Sequence, residues 1–231
     1  MPLRGYGNRS YKRIIRRTRR KFKRLPNVKQ IRFFTPRNVA TAARYAIRGV
    51  NMMKGIINSE LHRGDVEVNV TPNTTAAIAL LTDINQGDDV NNRNGNSILA
   101  KYISVRASCA INNSATATMV RFIVFVDGDN DGQTPTAAEL LTTPTSILST
   151  INPDYSARFT ILYDKHFTLS INGDRVMIDK FYKSLNFHIK YITGTGSTGF
   201  GRNNIWVYTI SSEATNTPNL NIYSRIAWYD N

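Results

Sequence analysis

Basic residues are concentrated in the first 60 residues of the chain. This segment contains 17 Lys and Arg but a single acidic residue, Glu60, whereas residues 61–231 contain 13 basic and 15 acidic residues. The total charge of +14 is therefore divided into +16 for the first segment and −2 for the remainder. Self-repulsion at this density disfavours a packed core in the basic segment. A folded domain must be built from the residues that follow it.

The basic arm, residues 1–35, is predicted to bind nucleic acid. Ten of the sixteen residues from Arg9 to Arg24 are Lys or Arg, and aromatic residues that could stack on unpaired bases lie among them. Such cations neutralise phosphates and release counterions without reading base sequence. The alternative is a tail that only improves solubility. The predicted binding residues of the arm are Arg9, Lys12, Arg13, Arg16, Arg17, Arg19, Arg20, Lys21, Lys23 and Arg24.

Residues 36–58 are predicted to form a basic amphipathic helix. Pro36 suits a first helical turn, and several alanines follow it. Arg37, Arg44 and Arg48 fall on one face, and we expect this face to contact the same nucleic acid as the arm. The alternative is a helix that packs on the core and leaves its basic side in water. An apolar stripe on the other side is formed by Ala43, Ile47, Val50 and Ile57.

The pattern of residues 59–231 predicts an all-β domain. Apolar residues alternate or run continuously in short stretches separated by turn residues, which indicates about eight main strands. No helices alternate with the strands, so a parallel α/β sheet is excluded. An eight-stranded antiparallel jelly-roll sandwich is one of the few arrangements that limit exposed edges. The predicted strand segments, with two short ones on either side of residues 164 and 165, are 62–70, 76–84, 97–111, 118–126, 158–163, 166–171, 181–193, 204–211 and 220–229.

Three details of this domain are specific enough to be tested. Asp164 and Lys165 are interpreted as a turn between two strands. The strand at 97–111 is expected to place Ile98, Tyr102 and Val105 in one apolar set. A long connection, 127–156, is expected to contain a short helix at 136–141.

The order of these features resembles the single jelly-roll coat proteins of small viruses. An arginine-rich start and a helix ending in KGIINSELH (54–62) are followed by NQGDDVNNRNGNSI (85–98), FVDGDNDGQTPTAAELL (125–141), ILYDKHFTL (161–169) and YSRIAWYDN (223–231). The chain is most similar to coats of circular, Rep-encoding single-stranded DNA viruses, in the lineage like satellite tobacco necrosis virus.

The resemblance implies a structural protein of the virion and not an enzyme. Copies of the chain would form a small icosahedral shell of the T=1 class, with the arm turned inward onto a single-stranded DNA or RNA genome. Clusters of Lys and Arg also serve as nuclear import signals, so assembly in the host nucleus is a further expectation. The host receptor is left open.

Three aspartates are candidate calcium ligands. Asp127, Asp129 and Asp131, with Gly132, match the start of an EF-hand loop, in which oxygen ligands alternate along the chain. The twelfth position holds Ala138 in place of an acid. A structural calcium that joins subunits is therefore one prediction. The alternative is an acidic turn that caps the following helix.

The remaining motifs favour structural roles. Cys109 is the only cysteine and is expected in the core, which excludes an intrachain disulfide. The GxGxxG pattern at 194–201 precedes a strand and not a helix, so it is interpreted as a loop between strands. Trp206 and Trp228 are expected to pack in the core. No secretory signal or membrane-spanning run is recognised in the sequence.

Two other function classes remain to be compared with a coat protein. A cellular nucleic-acid-binding protein with a basic tail would usually carry basic residues over its folded domain as well, and the charge of −2 after residue 60 counts against it. A carbohydrate-binding jelly-roll module would not need the basic arm.

Overall fold

A computed structural model describes residues 41–49, 60–192 and 199–230. The chain divides into two compact units, Met1–Asn58 and Ser59–Asn231. In the first unit, residues 41–49 form helix α1, and the rest of the helix predicted at 36–58 lies outside the described residues.

The second unit is a sandwich of two four-stranded sheets. The strand orders are β1-β8-β3-β6 and β2-β7-β4-β5, and every pairing is antiparallel. Each connection crosses to the other sheet except that between β4 and β5, which gives the jelly-roll arrangement predicted from the sequence. The strands are β1 (Leu61–Val70), β2 (Ala77–Leu80), β3 (Ser97–Ala110), β4 (Ala117–Asp127), β5 (Phe159–Ser170), β6 (Val176–Lys190), β7 (Asn204–Ser211) and β8 (Asn219–Asp230).

The space between the sheets is filled by alternate residues of the strands. We call this the interior cluster, and its largest fully buried side chain is Trp228. Gly64 on β1 lies against the indole ring of Trp228. A Cβ at Gly64 would stand 3.1 Å from two carbon atoms of that ring. A larger residue there would displace the indole, which explains a glycine in mid-strand.

The β2-β7-β4-β5 sheet is also covered on its outer side. The long β4–β5 connection lies over it and forms an outer cluster that includes Leu140, Leu141, Phe159 and Trp206. Strand β7 is consequently buried along its whole length. The nearly continuous apolar run of β4 has the same cause, because a strand covered on both faces does not alternate.

The β4–β5 connection contains the predicted short helix, α2 (Ala137–Leu140). Thr136 and Glu139 form a reciprocal capping box, in which each side chain accepts a hydrogen bond from the other residue's backbone N–H. A 3-10 turn, Pro153–Tyr155, precedes β5.

A β-bulge in β3 changes which residues face the core. Ala100 and Tyr102 pair with the consecutive residues Trp228 and Ala227 of β8, so Lys101 is an extra residue. Ala100 and Ile103 are both buried, and Lys101 and Tyr102 between them therefore face outward. The expectation that Tyr102 shares an apolar set with Ile98 and Val105 is wrong.

The predicted turn at Asp164 and Lys165 is also wrong. Both residues lie within the single strand β5, which pairs with β4 throughout. Asp164 accepts two hydrogen bonds from Arg121, at 2.9 and 2.6 Å. This polar pair therefore marks a cross-strand ion pair, and merging the two predicted segments gives eight strands.

Candidate nucleic-acid and assembly surfaces

Only two of the predicted nucleic-acid-binding residues fall in the part of the chain that the structure describes. Arg44 and Arg48 lie four residues apart on helix α1, on one face, and both are exposed. The other predicted contacts lie outside the described residues: Arg9, Lys12, Arg13, Arg16, Arg17, Arg19, Arg20, Lys21, Lys23, Arg24 and Arg37. Their binding to nucleic acid remains a prediction.

The two broad faces of the sandwich differ in what covers them. The β4–β5 connection covers the β2-β7-β4-β5 sheet, whereas the β1-β8-β3-β6 sheet keeps exposed side chains on its outer side. We call the outward-facing residues of the β1-β8-β3-β6 sheet the open face. Its cations are Arg63, Lys101, Arg106, Lys180, Lys190 and Arg225, and its carboxylates are Asp65 and Glu67.

Both carboxylates of the open face stand on β1, at one edge of the sheet, and both have partners. Arg225 donates two hydrogen bonds of 2.7 Å to Asp65, and the pKa of Asp65 is lowered by this contact. Glu67 accepts hydrogen bonds from Asn69 (3.0 Å) and Tyr223 (2.8 Å), and these lower its pKa. The negative charge of the face is thus confined to one edge and engaged there.

The other half of the open face, on β3 and β6, carries only positive charge. We call this the basic half; its cations are Lys101, Arg106, Lys180 and Lys190. Arg106 and Lys180 are directly opposite each other in the β3–β6 pairing. Among the described residues, neither has an ion-pair partner.

Aromatic side chains stand among these cations. The rings of Tyr102 and Tyr182 lie 5.3 Å apart, and the side chain of Tyr182 is 64% exposed. The ammonium nitrogen of Lys101 lies 5.1 Å from the ring centre of Tyr229. No local sequence pattern marks this surface, because its residues come from strands far apart in the chain.

Two of the three residues proposed as calcium ligands, Asp127 and Asp129, are engaged with arginines. The Asp127 carboxylate is fully buried and accepts hydrogen bonds from Nε (2.8 Å) and Nη2 (2.9 Å) of Arg158. Asp129 pairs with Arg202 at 2.9 Å. No cluster of three or more His, Cys, Asp or Glu that could hold a metal is found in the described ranges. In those ranges the three side chains are not grouped as metal ligands, and at Asp127 a guanidinium supplies the positive charge that calcium would bring.

Arg158 links this turn to helix α2. Its Nη1 donates to Oε1 of Glu139 at 2.8 Å, so one guanidinium holds both ends of the segment from Asp127 to α2. The alternative interpretation, in which the acidic turn caps helix α2, is wrong, because Thr136 is the N-cap residue. The sequence showed the acidic residues but not their partner, which lies 31 positions beyond Asp127.

Cys109 and the two tryptophans lie in the core, as predicted. Cys109 is fully buried, and burial raises the pKa of its thiol to about 12, so it is not a nucleophile at neutral pH. Trp228 belongs to the interior cluster and Trp206 to the outer cluster. Of the GxGxxG segment, residues 194–198 lie outside the described residues. Within the described ranges, no helix has the length and apolar character needed to cross a bilayer.

A comparison with protein families identifies the family of the chain. Residues 34–230 match the family described as "Satellite tobacco necrosis virus coat protein". Since this match covers most of the sequence, the chain belongs to that family. It is accordingly a structural component of the virion, and the expected absence of an enzymatic role follows from family membership.

Two relatives carry the same kind of name. The chain is 34% identical to the capsid protein of Satellite tobacco necrosis virus 1 over 132 residues, which is 54% of this chain and 65% of that protein. It is 35% identical to the coat protein of Satellite tobacco necrosis virus 2 over 151 residues, 62% of this chain and 73% of that protein. The aligned region thus spans slightly less than two thirds of the first relative.

Solved structures with some likeness to the chain include two from viruses. Desmodium yellow mottle tymovirus has 12% identity and a TM-score of 0.33, covering 74% of this chain and 88% of that one. The empty head of turnip yellow mosaic virus has 12% identity and a TM-score of 0.35, covering 75% and 82%. These TM-scores are too low to support any conclusion.

The matches leave one detail of the resemblance without support. The family and both relatives are named for satellite tobacco necrosis viruses. They give no support to the expected kinship with Rep-encoding single-stranded DNA viruses.

Proposed function

We propose that this coat protein assembles into a small icosahedral shell of the T=1 class and packages a single-stranded genome through its arginine-rich arm. The observation that carries the proposal is the separation of charge, +16 in residues 1–60 and −2 in the rest. A coat must accept any genome sequence, and phosphate neutralisation by Lys and Arg provides binding that does not depend on sequence.

The nearly neutral body suits self-assembly. Copies of one asymmetric subunit can close a shell through heterologous interfaces around rotation axes. A body of charge −2 brings little long-range repulsion to those contacts. The cations of the arm would instead be neutralised by the packaged polyanion.

The first test removes the charge of the arm while keeping its length. In one variant, the ten cations from Arg9 to Arg24 are replaced by Gln; in the matched control, the arginines among them are replaced by Lys. We expect particles of the Gln variant to contain little nucleic acid and those of the Lys control to contain a normal amount, because phosphate neutralisation depends mainly on charge. The ratio of absorbance at 260 and 280 nm of purified particles measures this. Normal nucleic-acid content in the Gln variant would refute arm-dependent packaging.

A second measurement identifies the genome. Nucleic acid extracted from particles is treated separately with DNase, RNase and a nuclease specific for single strands. The proposal requires digestion by the single-strand nuclease, and sensitivity to DNase or RNase decides between the two genome types. Resistance to the single-strand nuclease would contradict it.

The arm is also proposed to direct the protein to the host nucleus during assembly. Its Lys and Arg clusters have the composition of nuclear import signals. The Gln variant and the Lys control, each carrying a fluorescent label, would be compared in cells. Equal nuclear accumulation of the two would contradict this role.

A further inference from the structure

We propose that the basic half of the open face is a second binding surface for single-stranded nucleic acid, on the jelly-roll body itself. The strand would lie along β3 and β6, with phosphates on Arg106 and Lys180 and bases against Tyr182 and Tyr102. This inference rests on the proposed packaging function and extends it from the arm to the folded domain.

The first support is the local charge. Residues 61–231 carry −2 overall, yet the outward-facing residues of β3 and β6 include four cations and no carboxylate. The carboxylates of the open face stand on β1 and are engaged by Arg225, Asn69 and Tyr223. A positive surface on a slightly negative body is complementary to a polyanion.

The second support is the placement of Arg106 opposite Lys180. Residues directly opposite on antiparallel strands have Cβ atoms about 5 Å apart, and like charges in such a pair destabilise the sheet. Neither side chain has a carboxylate partner among the described residues, and both are exposed. An anion bound between them would turn the repulsion into attraction. A phosphate backbone supplies such anions in series.

The third support is the pair of tyrosines beside these cations. Tyr182, on β6 and two residues from Lys180, lies opposite Ser104 of β3. The residue is 64% exposed, and its ring is 5.3 Å from that of Tyr102. An exposed aromatic ring next to cations is the combination that binds single strands, because every base has a face that can stack. The bulge at Lys101 is what turns Tyr102 outward, and so it builds this surface.

The experiment compares two double variants of the full-length chain that lose the same net charge. The test variant is Arg106→Gln with Lys180→Gln. The control is Arg175→Gln with Lys183→Gln: Arg175 lies outside the open face, and Lys183 points to the opposite side of β6, since it pairs with the buried Ile103. Binding of labelled oligothymidylate and oligouridylate is measured by fluorescence anisotropy over a range of salt concentrations.

We expect the test variant to lose two phosphate contacts. Its slope of log Kobs against log salt concentration should be shallower by about 1.4, since each contact contributes about 0.7 for single strands, and the affinity at 0.1 M salt should fall roughly 10- to 30-fold. The control should keep the wild-type slope. Photo-crosslinking of wild type should also label the peptide that contains Tyr182.

Other outcomes would overturn the inference in distinguishable ways. If the test and control variants change the slope equally, only net charge matters and the open face is not a binding surface. If the slope is unchanged while sedimentation shows altered assembly, the face is a contact between subunits. In either case, the Gln variant and the Lys control of the arm test the proposed packaging function separately. If the wild-type protein binds neither probe, both proposals are refuted.

Discussion

At the scale of single residues, the body uses arginine in two different environments. The Arg121 guanidinium is 6% exposed and binds Asp164 with two hydrogen bonds. It also donates to the carbonyl oxygens of Ile147 (2.9 Å) and Ser149 (2.6 Å), which ties the β4–β5 connection to β4. The pair between Arg225 and Asp65 has similar bidentate geometry but is more than half exposed on both sides. Burial, and not geometry, should decide which pair matters for stability.

Arg121→Leu is expected to destabilise the fold by about 2–4 kcal/mol, because it removes the guanidinium that donates to the Asp164 carboxylate and to two carbonyl groups. Partial exposure of Asp164 keeps the loss below that of a fully buried pair. Urea unfolding of the two proteins measures the difference. Asp65→Asn serves as the control and should move the midpoint much less, since water replaces an exposed partner. Equal shifts in the two variants would contradict the assignment of Arg121 as an anchor.

At the scale of elements, the β4–β5 connection is held by an ion network centred on Arg158. Burial tends to raise the pKa of Glu139, but hydrogen bonds from the backbone N–H and hydroxyl of Thr136 and the charge and hydrogen bond of Arg158 outweigh it, and the pKa is lowered. Since the folded-state pKa lies below that of the unfolded chain, ionised Glu139 stabilises the fold above the unfolded-state pKa. This stabilisation is lost as the pH falls through the folded-state value.

Glu139→Gln should therefore cost stability at neutral pH and little in acid. We expect a loss of about 0.5–1 kcal/mol at neutral pH, the size of a capping interaction. The gap between wild type and variant should narrow as the pH is lowered to about 3. Glu213→Gln is the matched control, since that side chain forms no ion pair among the described residues, and its curve should run parallel to wild type. A gap for Glu139→Gln that stays constant with pH would show that its charge does not matter.

Elements with a clear apolar pattern, alternating or continuous, could be predicted from the sequence, whereas partners distant in the chain could not. The bounds of β7 agree with the predicted 204–211. Strand β1 begins one residue before its predicted start, and β8 extends one residue beyond its predicted range at each end. Tyr102 was misplaced because one extra residue in β3 reverses the alternation without leaving a local signal. Asp164 was interpreted as part of a turn because its partner, Arg121, lies 43 positions away.

The candidate binding surfaces also divide into residues that are close in the sequence, which could be predicted, and residues distant in the chain, which could not. The arm is visible in the sequence because its cations are consecutive, and composition alone identifies it. The basic half of the open face is not visible, because Arg106 and Lys180 meet only when β3 pairs with β6. The sequence showed a body of charge −2 and so concealed an unequal distribution of that charge over its surface.

At the scale of the whole molecule, two hydrophobic clusters share their central strands. On β7, Ile205 and Val207 contribute to the interior cluster, while Trp206 and Tyr208 contribute to the outer one. Strand β4 divides its side chains in the same way. Opening the outer cluster would therefore expose the backs of strands that also form the interior. We infer that the jelly roll and the β4–β5 connection unfold as one cooperative unit.

The two tryptophans can test this cooperative unfolding, because each lies in a different cluster. Trp206→Phe leaves Trp228 as the probe of the interior cluster, and Trp228→Phe leaves Trp206 as the probe of the outer one. In each variant, the midpoint of urea unfolding followed by fluorescence should coincide with that followed by far-UV circular dichroism, as expected for a two-state transition. Comparing two signals within one variant removes the effect of the substitution on stability. A fluorescence midpoint for Trp206 that precedes the loss of β structure would mean that the connection opens first, as a separate layer over an intact sandwich.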